Sequence, residues 1–118
     1  MTLSLQAQDN IWNRHVIDSS LSGADGVRLA DVNNDSLMDI TTGWEEGGYT
    51  KVYVHPGYNL AKQKWPSVIV GKTPDVEDAV FVDIDDDGRI DVVSSTEGKN
   101  GKIYFNWAPT DPLNYLDS

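Results

Sequence analysis

Apolar residues along this chain fall in short runs, each five or six residues long and each closed by turn formers. The runs Val27–Val32, Ile40–Trp44, Lys51–His55, Trp65–Val70, Ala79–Ile84, Asp91–Thr96 and Lys102–Trp107 are rich in Val, Ile, Thr, Tyr and Trp. Glycine-, asparagine- and proline-bearing stretches such as "SGADG", "EEGG" and "HPGYN" bound them. That composition predicts strands and turns. No segment carries a 3.6-residue apolar period, so no helix longer than a turn is expected. "VIV" at 68–70 and "VFV" at 80–82 are apolar on both faces. A sheet stacked between other sheets requires this, whereas a sheet with one wet face alternates.

The pattern also repeats. Placing Asp31 on Asp83 lays "LADVNNDSLMDI" over "FVDIDDDGRIDV". Downstream, "TKVYVHPG" (50–57) is matched to "GKIYFNWA" (101–108), with one residue lost from the loop between. Upstream, "IWNRHVI" (11–17) resembles "KWPSVIV" (64–70), placing Trp12 on Trp65. The period is 51 to 53 residues, with repeat 1 over 11–63, repeat 2 over 64–109 and a turn-rich tail at 110–118. Four short strands per repeat of about 50 residues predict an all-β fold of β-propeller blades. A seven-stranded sandwich suits the length but does not predict the repeat.

Each repeat carries an acidic loop. Oxygen-bearing side chains stand at relative positions 1, 3, 5 and 9: Asp31, Asn33, Asp35 and Asp39, then Asp83, Asp85, Asp87 and Asp91. A hard cation takes six to eight oxygens at about 2.3–2.6 Å, and a tight loop aims these side chains at one point. Position 7 adds a backbone carbonyl, from Leu37 or Arg89. Gly88 at position 6 eases the bend in the second loop; Ser36 stands there in the first. Without a cation, each close carboxylate pair repels by on the order of 1 kcal/mol or more. Two Ca²⁺ ions per chain are therefore expected. Magnesium demands stricter octahedral geometry, and zinc favours His or Cys. An EF-hand is rejected, because Thr42 and Ser94 stand where it needs a bidentate Glu, and strands flank both loops.

"GVRLADVNNDSLMDITTG…TKVYVHPG" and "AVFVDIDDDGRIDVVSS…GKIYFNWAP" resemble FG-GAP/VCBS-type repeats, the calcium-binding blades of integrin α-subunit propellers and of many secreted bacterial proteins. The resemblance covers about four-fifths of the chain. It implies calcium between the first and second strands of each blade, on Asp31, Asn33, Asp35 and Asp39 and on Asp83, Asp85, Asp87 and Asp91. Asn33, Ser36 and Met38 depart from the family pattern in the first copy. The resemblance also implies that the strand before the acidic loop is innermost in its blade and "WPSVIV" outermost.

On that order the first blade has four strands and the second three, while "IWNRHVI" is an orphan outer strand. Exchange of this strand would complete the second blade of a neighbouring copy. Propellers need four to eight blades, so head-to-tail association is expected to close the ring, as a six-bladed homotrimer. The alternative is a piece of a longer propeller.

Composition narrows the partners. The 118 residues hold 19 Asp plus Glu against 9 Lys plus Arg, a net charge of −10. Nucleic acid and anionic membrane surfaces are disfavoured as partners, and cations favoured. No cysteine is present, so disulfides and thiolate zinc sites are excluded. No apolar run approaches a membrane span, and "MTLSLQAQDN" does not read as a signal peptide. Millimolar external calcium suits modest-affinity loops, which points to an extracellular or periplasmic address.

The expected function is a non-catalytic, lectin-like binding module for carbohydrate or protein. Trp44, Tyr49, His55 and Trp107 are its candidate ligand contacts, together with the loop residues Glu45, Glu46 and Tyr58. Propeller lyases or hydrolases are the enzymatic alternative, but they need an acid and a base converging in one pocket. His15 and His55 are the only histidines. A purely structural scaffold is the third reading.

Overall fold

A computed structural model describes residues 12–99 and 101–117. Seven strands form: β1 (Ala24–Ala30), β2 (Asp39–Trp44), β3 (Tyr49–Tyr53), β4 (Ser67–Lys72), β5 (Val76–Val82), β6 (Asp91–Thr96) and β7 (Ile103–Asn106). They build two antiparallel sheets, β1-β2-β3-β4 and β5-β6-β7. The only helical pieces among the described residues are 3-10 turns at Tyr58–Leu60 and Pro112–Tyr115. Each of the seven β-rich runs is present as a strand, shifted by zero to three residues at its ends. β4 starts at Ser67 rather than Trp65. Trp65 turns into the core instead, its indole donating to the Ala61 carbonyl at 2.9 Å.

Two sequence expectations are corrected. Residues 12–17 form no strand, and Trp12–Val16 are exposed; Ile11 lies outside the described residues. The segment has no strand of its own chain beside it, and an extended backbone gains its ladder only from a neighbour. The third strands also align differently. Ile40 faces Tyr53 and its equivalent Val92 faces Asn106, so Tyr53 corresponds to Asn106 and not to Tyr104. The second hairpin loop has gained a residue rather than lost one. An error of two residues leaves every side chain on the same face, so alternation in sequence is blind to it.

The ladders define two faces per sheet. On the front of the first sheet lie Leu29, Ile40 and Tyr53 in one cross-strand row; on its back lie Arg28, Thr41, Val52 and Val68 in the next. The equivalent front row of the second sheet is Phe81, Val92 and Asn106, and the back row Val80, Val93 and Phe105. The sheets pack back to front. Val52, Val68 and Val70 meet Ala79, Phe81 and Val92 in one apolar cluster. The approach is closest at Gly43, where a Cβ would stand 2.7 Å from a Val76 methyl, so only glycine fits. Arg28 and Asp78 form an ion pair across the same boundary. The stacking is thus heterologous, with like faces pointing the same way.

A second cluster, Trp44, Tyr53 and Trp65, covers part of the first sheet's front face, with Ile17, Leu21 and Ile40 against it. The Trp44 indole donates to the Tyr53 hydroxyl at 2.9 Å, and that hydroxyl donates to Asp18 at 2.8 Å. Lys51 reaches the same carboxylate at 2.6 Å. Burial alone would raise the Asp18 carboxyl; the Lys51, Ser20 and Tyr53 hydrogen bonds overcome it and hold the group well below the ordinary range. Among the described residues no helix is long and apolar enough to cross a membrane.

Candidate metal centre

The acidic loops leave β1 and β5 and enter β2 and β6, so the repeat sets both at the same end of the two sheets. Three backbone-amide hydrogen bonds recur in both, 52 residues apart. The amides of Asp35 and Ser36 donate to Asp31, at 3.1 and 2.8 Å; those of Asp87 and Gly88 donate to Asp83, at 3.1 and 2.9 Å. The amide of Leu37 donates to Asp35, and that of Arg89 to Asp87, both at 2.9 Å. Carboxylates at positions 1 and 5 are therefore oriented by the loop's own backbone. Left-handed residues make the bend: Asn34 and Ser36 in one loop, Asp86 and Gly88 in the other. Asn and Asp enter this region at low cost and Gly at none, which leaves Ser36 as the strained member.

Position 9 anchors each loop to its sheet. Asp39 is fully buried and accepts from the amides of Val32 and His55, both at 2.8 Å. Asp91 is buried in the same way and accepts from Ile84 at 3.3 Å and Ala108 at 2.8 Å. Each thus ties the loop's start to the strand end two ladders away. Burial pushes the Asp39 carboxyl above its usual value; the two amides oppose this, and Asp35 and Asp31 add to it. Asp85 is also raised, by desolvation first and then by Asp87 and Asp91.

In the second loop, oxygens of Asp83, Asp85 and Asp91 lie within 4.8 Å of one another. Asp87 is drawn aside to the Arg89 guanidinium. In the first loop the Asn33 amide donates to Asp35 at 3.1 Å. The donor set is all oxygen, mostly carboxylate, on a loop held by backbone amides. It fits a hard divalent cation, because each carboxylate has about four acceptor sites and the amides use only some of them. In the second loop Asp83, Asp85 and Asp91 would hold the ion. Asp31, Asn33 and Asp39 are their counterparts in the first loop, and Asp35 is the counterpart of Asp87. Leu37 and Arg89 stand at position 7, where a backbone carbonyl is the available donor.

The candidate ligand contacts do not come together. Trp44 is buried and hydrogen-bonded within the core, so it serves packing. Tyr49 opens β3 at the end of the sheet opposite the acidic loops. His55 sits by the first acidic loop, its ring 4.7 Å from Trp65 and 5.8 Å from Tyr58, with Nδ1 accepting from Gly57. Trp107 is exposed and stacks on Phe105 at 5.9 Å. An apolar cavity of about 520 Å³ lies between the outer strands of the two sheets, lined by Val54, Val68, Phe81, Trp107, Leu113 and Leu116 among others.

One group escaped the sequence reading. Glu45, Glu77 and Glu97 converge within 4.8 Å at the end opposite the acidic loops. Glu97 raises the Glu77 carboxyl most, with desolvation, Asp25 and Glu45 contributing. Glu45 and Glu97 stand 52 residues apart, so the repeat itself was the available signal. What brings Glu77 to them is the stacking of one sheet on the other.

No family model, curated protein or solved structure matches the chain.

Proposed function

We propose that the chain is a pair of propeller-type blades whose inner loops are held by calcium, and that it works as a non-catalytic binding module outside the cytoplasm. One observation carries this reading: the two acidic loops share three backbone-amide hydrogen bonds to their first and fifth carboxylates, 52 residues apart. These bonds orient the first and fifth carboxylates alike in both loops, as a shared ligand would require. The back-to-front stacking of the sheets supports the blade assignment, since propeller blades are related by rotation. The resemblance to FG-GAP/VCBS-type repeats points to the same cation at the same positions. Engagement of His55 with Trp65, Tyr58 and Gly57 favours a packing role over acid–base chemistry. Exposed Trp107 and Tyr58 are surfaces of the kind sugars stack on.

Calcium binding to the folded state stabilises it through linkage, by about 2.7 kcal/mol at one hundred times Kd. Thermal unfolding should therefore shift upward by several degrees between chelator and 5 mM CaCl₂, with heat released in titration calorimetry at two sites per chain. Asp83→Asn together with Asp85→Asn should abolish one of the two sites. No heat and no shift in millimolar calcium would end the cation reading. A glycan array with and without chelator tests the ligand class.

A further inference from the structure

The back-to-front packing of the two sheets leaves one copy of each face without its counterpart. Ala79 and Phe81, on the front of the second sheet, are covered by the back of the first, and Ala79 is 1% exposed. Their equivalents on the front of the first sheet, Val27 and Leu29, are 54% and 60% exposed. The relation inverts on the other side. Val52, on the back of the first sheet, is 7% exposed, whereas its equivalent Phe105 is 46% exposed, beside Val80 and Ile103. One apolar front and one apolar back therefore remain open on opposite sides of the molecule. Both belong to an interface type this chain already makes with itself.

We infer that the occupant of both open faces is a second copy of this chain, its second sheet's back stacked on the first sheet's front, with residues 12–17 of one copy paired to β7 of the other. The segment that follows these residues already lies where such a strand would end. Ile17 stands in the sequence where Val70 stands in the next repeat, on the alignment that places Trp12 on Trp65. Val70 packs on the front of the second sheet. Ile17 correspondingly packs on the Trp44, Tyr53 and Trp65 cluster at the front of the first, its carbonyl accepting from the Trp65 amide at 3.2 Å, and the adjacent Asp18 is bound to Lys51 and Tyr53. Upstream of this anchor the chain carries exposed Trp12 and Val16. β4 shows the register. Ser67, Val68 and Ile69 face Tyr53, Val52 and Lys51, so Arg14, His15 and Val16 would face Asn106, Phe105 and Tyr104 of the neighbour. A heterologous interface of this kind repeats until it closes, and two sheets per copy make three copies a six-bladed ring.

This inference rests on the blade reading but not on the cation. Analytical ultracentrifugation separates the two. The full chain should sediment in calcium as a discrete species of two to four times 13.0 kDa, with three the expected number. Leu29→Arg blocks the open front and Ile103→Arg the open back; each variant alone should be a folded monomer. Mixed, they retain one intact interface and should give a one-to-one dimer that grows no further. Isologous contacts predict no such dimer. His15→Pro with Val16→Pro removes two successive amides, one of which must face β7. It should weaken association at least tenfold while leaving the far-ultraviolet circular dichroism unchanged. A monomeric wild type, or a mixture that stays monomeric while the wild type associates, overturns the inference. An oligomer that forms alike in calcium and in chelator supports the inference, and calorimetry then decides the cation reading separately.

Discussion

Position 6 of the two loops makes a controlled comparison, because Ser36 and Gly88 occupy the same left-handed bend at φ 68° and 86°. A side chain there costs roughly 1–2 kcal/mol of local strain, while glycine costs chain entropy in the unfolded state. Ser36→Gly should therefore stabilise the protein by about 0.5–1 kcal/mol in urea unfolding, the net of these two effects. The reverse change, Gly88→Ser, should cost a similar amount. An unchanged midpoint for both would mean that the bends are not as strained as their dihedral angles indicate. Both residues were legible in sequence as the sixth place in an Asp-x-Asp/Asn-x-Asp loop. The double duty of Asp39 and Asp91 was not. Their spacing marked them as ligands, but it did not reveal that each also holds the amides of two other segments. Those partners, Val32 with His55 and Ile84 with Ala108, approach only when the strands pair.

Among the elements, the segment at 17–21 is fastened to β3 by charge as much as by packing. The Asp18 and Lys51 side chains are 3% and 9% exposed, and the Tyr53 hydroxyl shares the same carboxylate. The depressed Asp18 titration means that this contribution to stability is complete above the ordinary value of 3.8 and fades as pH falls further, through the lower folded value. Asp18→Asn leaves Lys51 buried without its counter-charge and should cost about 3 kcal/mol at pH 7. The gap to wild type should narrow below pH 3.8. A gap that stays constant into acid would show that shape rather than charge holds the segment. Strand positions themselves were readable from β-branched and aromatic runs bounded by turn residues, and β6 matches its expected bounds at both ends. The register of β7 was not readable, since a two-residue slip preserves the alternation of faces.

Across the whole molecule, the stacking of sheets creates contacts that neither repeat contains alone. The Glu45, Glu77 and Glu97 group is one, drawing a residue of β5 to two hairpin loops. Because Glu77 titrates above its ordinary 4.5, ionisation works against the fold as pH rises through the raised value. Glu77→Gln should raise the thermal midpoint at pH 7 in chelator, and that advantage should disappear below pH 4.5. A variant no more stable than wild type at neutral pH would show the three carboxylates spread apart in solution. The open front and back faces are the second consequence of stacking. They turn a repeat into an interface that a further copy can extend, and exposed apolar area of this kind marks association sites.

Sequence alone determined the all-β class, the seven strands, the 52-residue repeat and the spacing of the oxygen donors. All of these are local: strand propensity, turn chemistry and period 2 act within a few residues of one another. Tertiary structure decided which face of one sheet meets which face of the other, where the third strand of the second repeat pairs, and which carboxylates come within reach. Those outcomes depend on distances between residues more than 30 positions apart in the chain, such as Gly43 against Val76 or Gly71 against Asn106. Close packing sets these distances, and no periodicity encodes them.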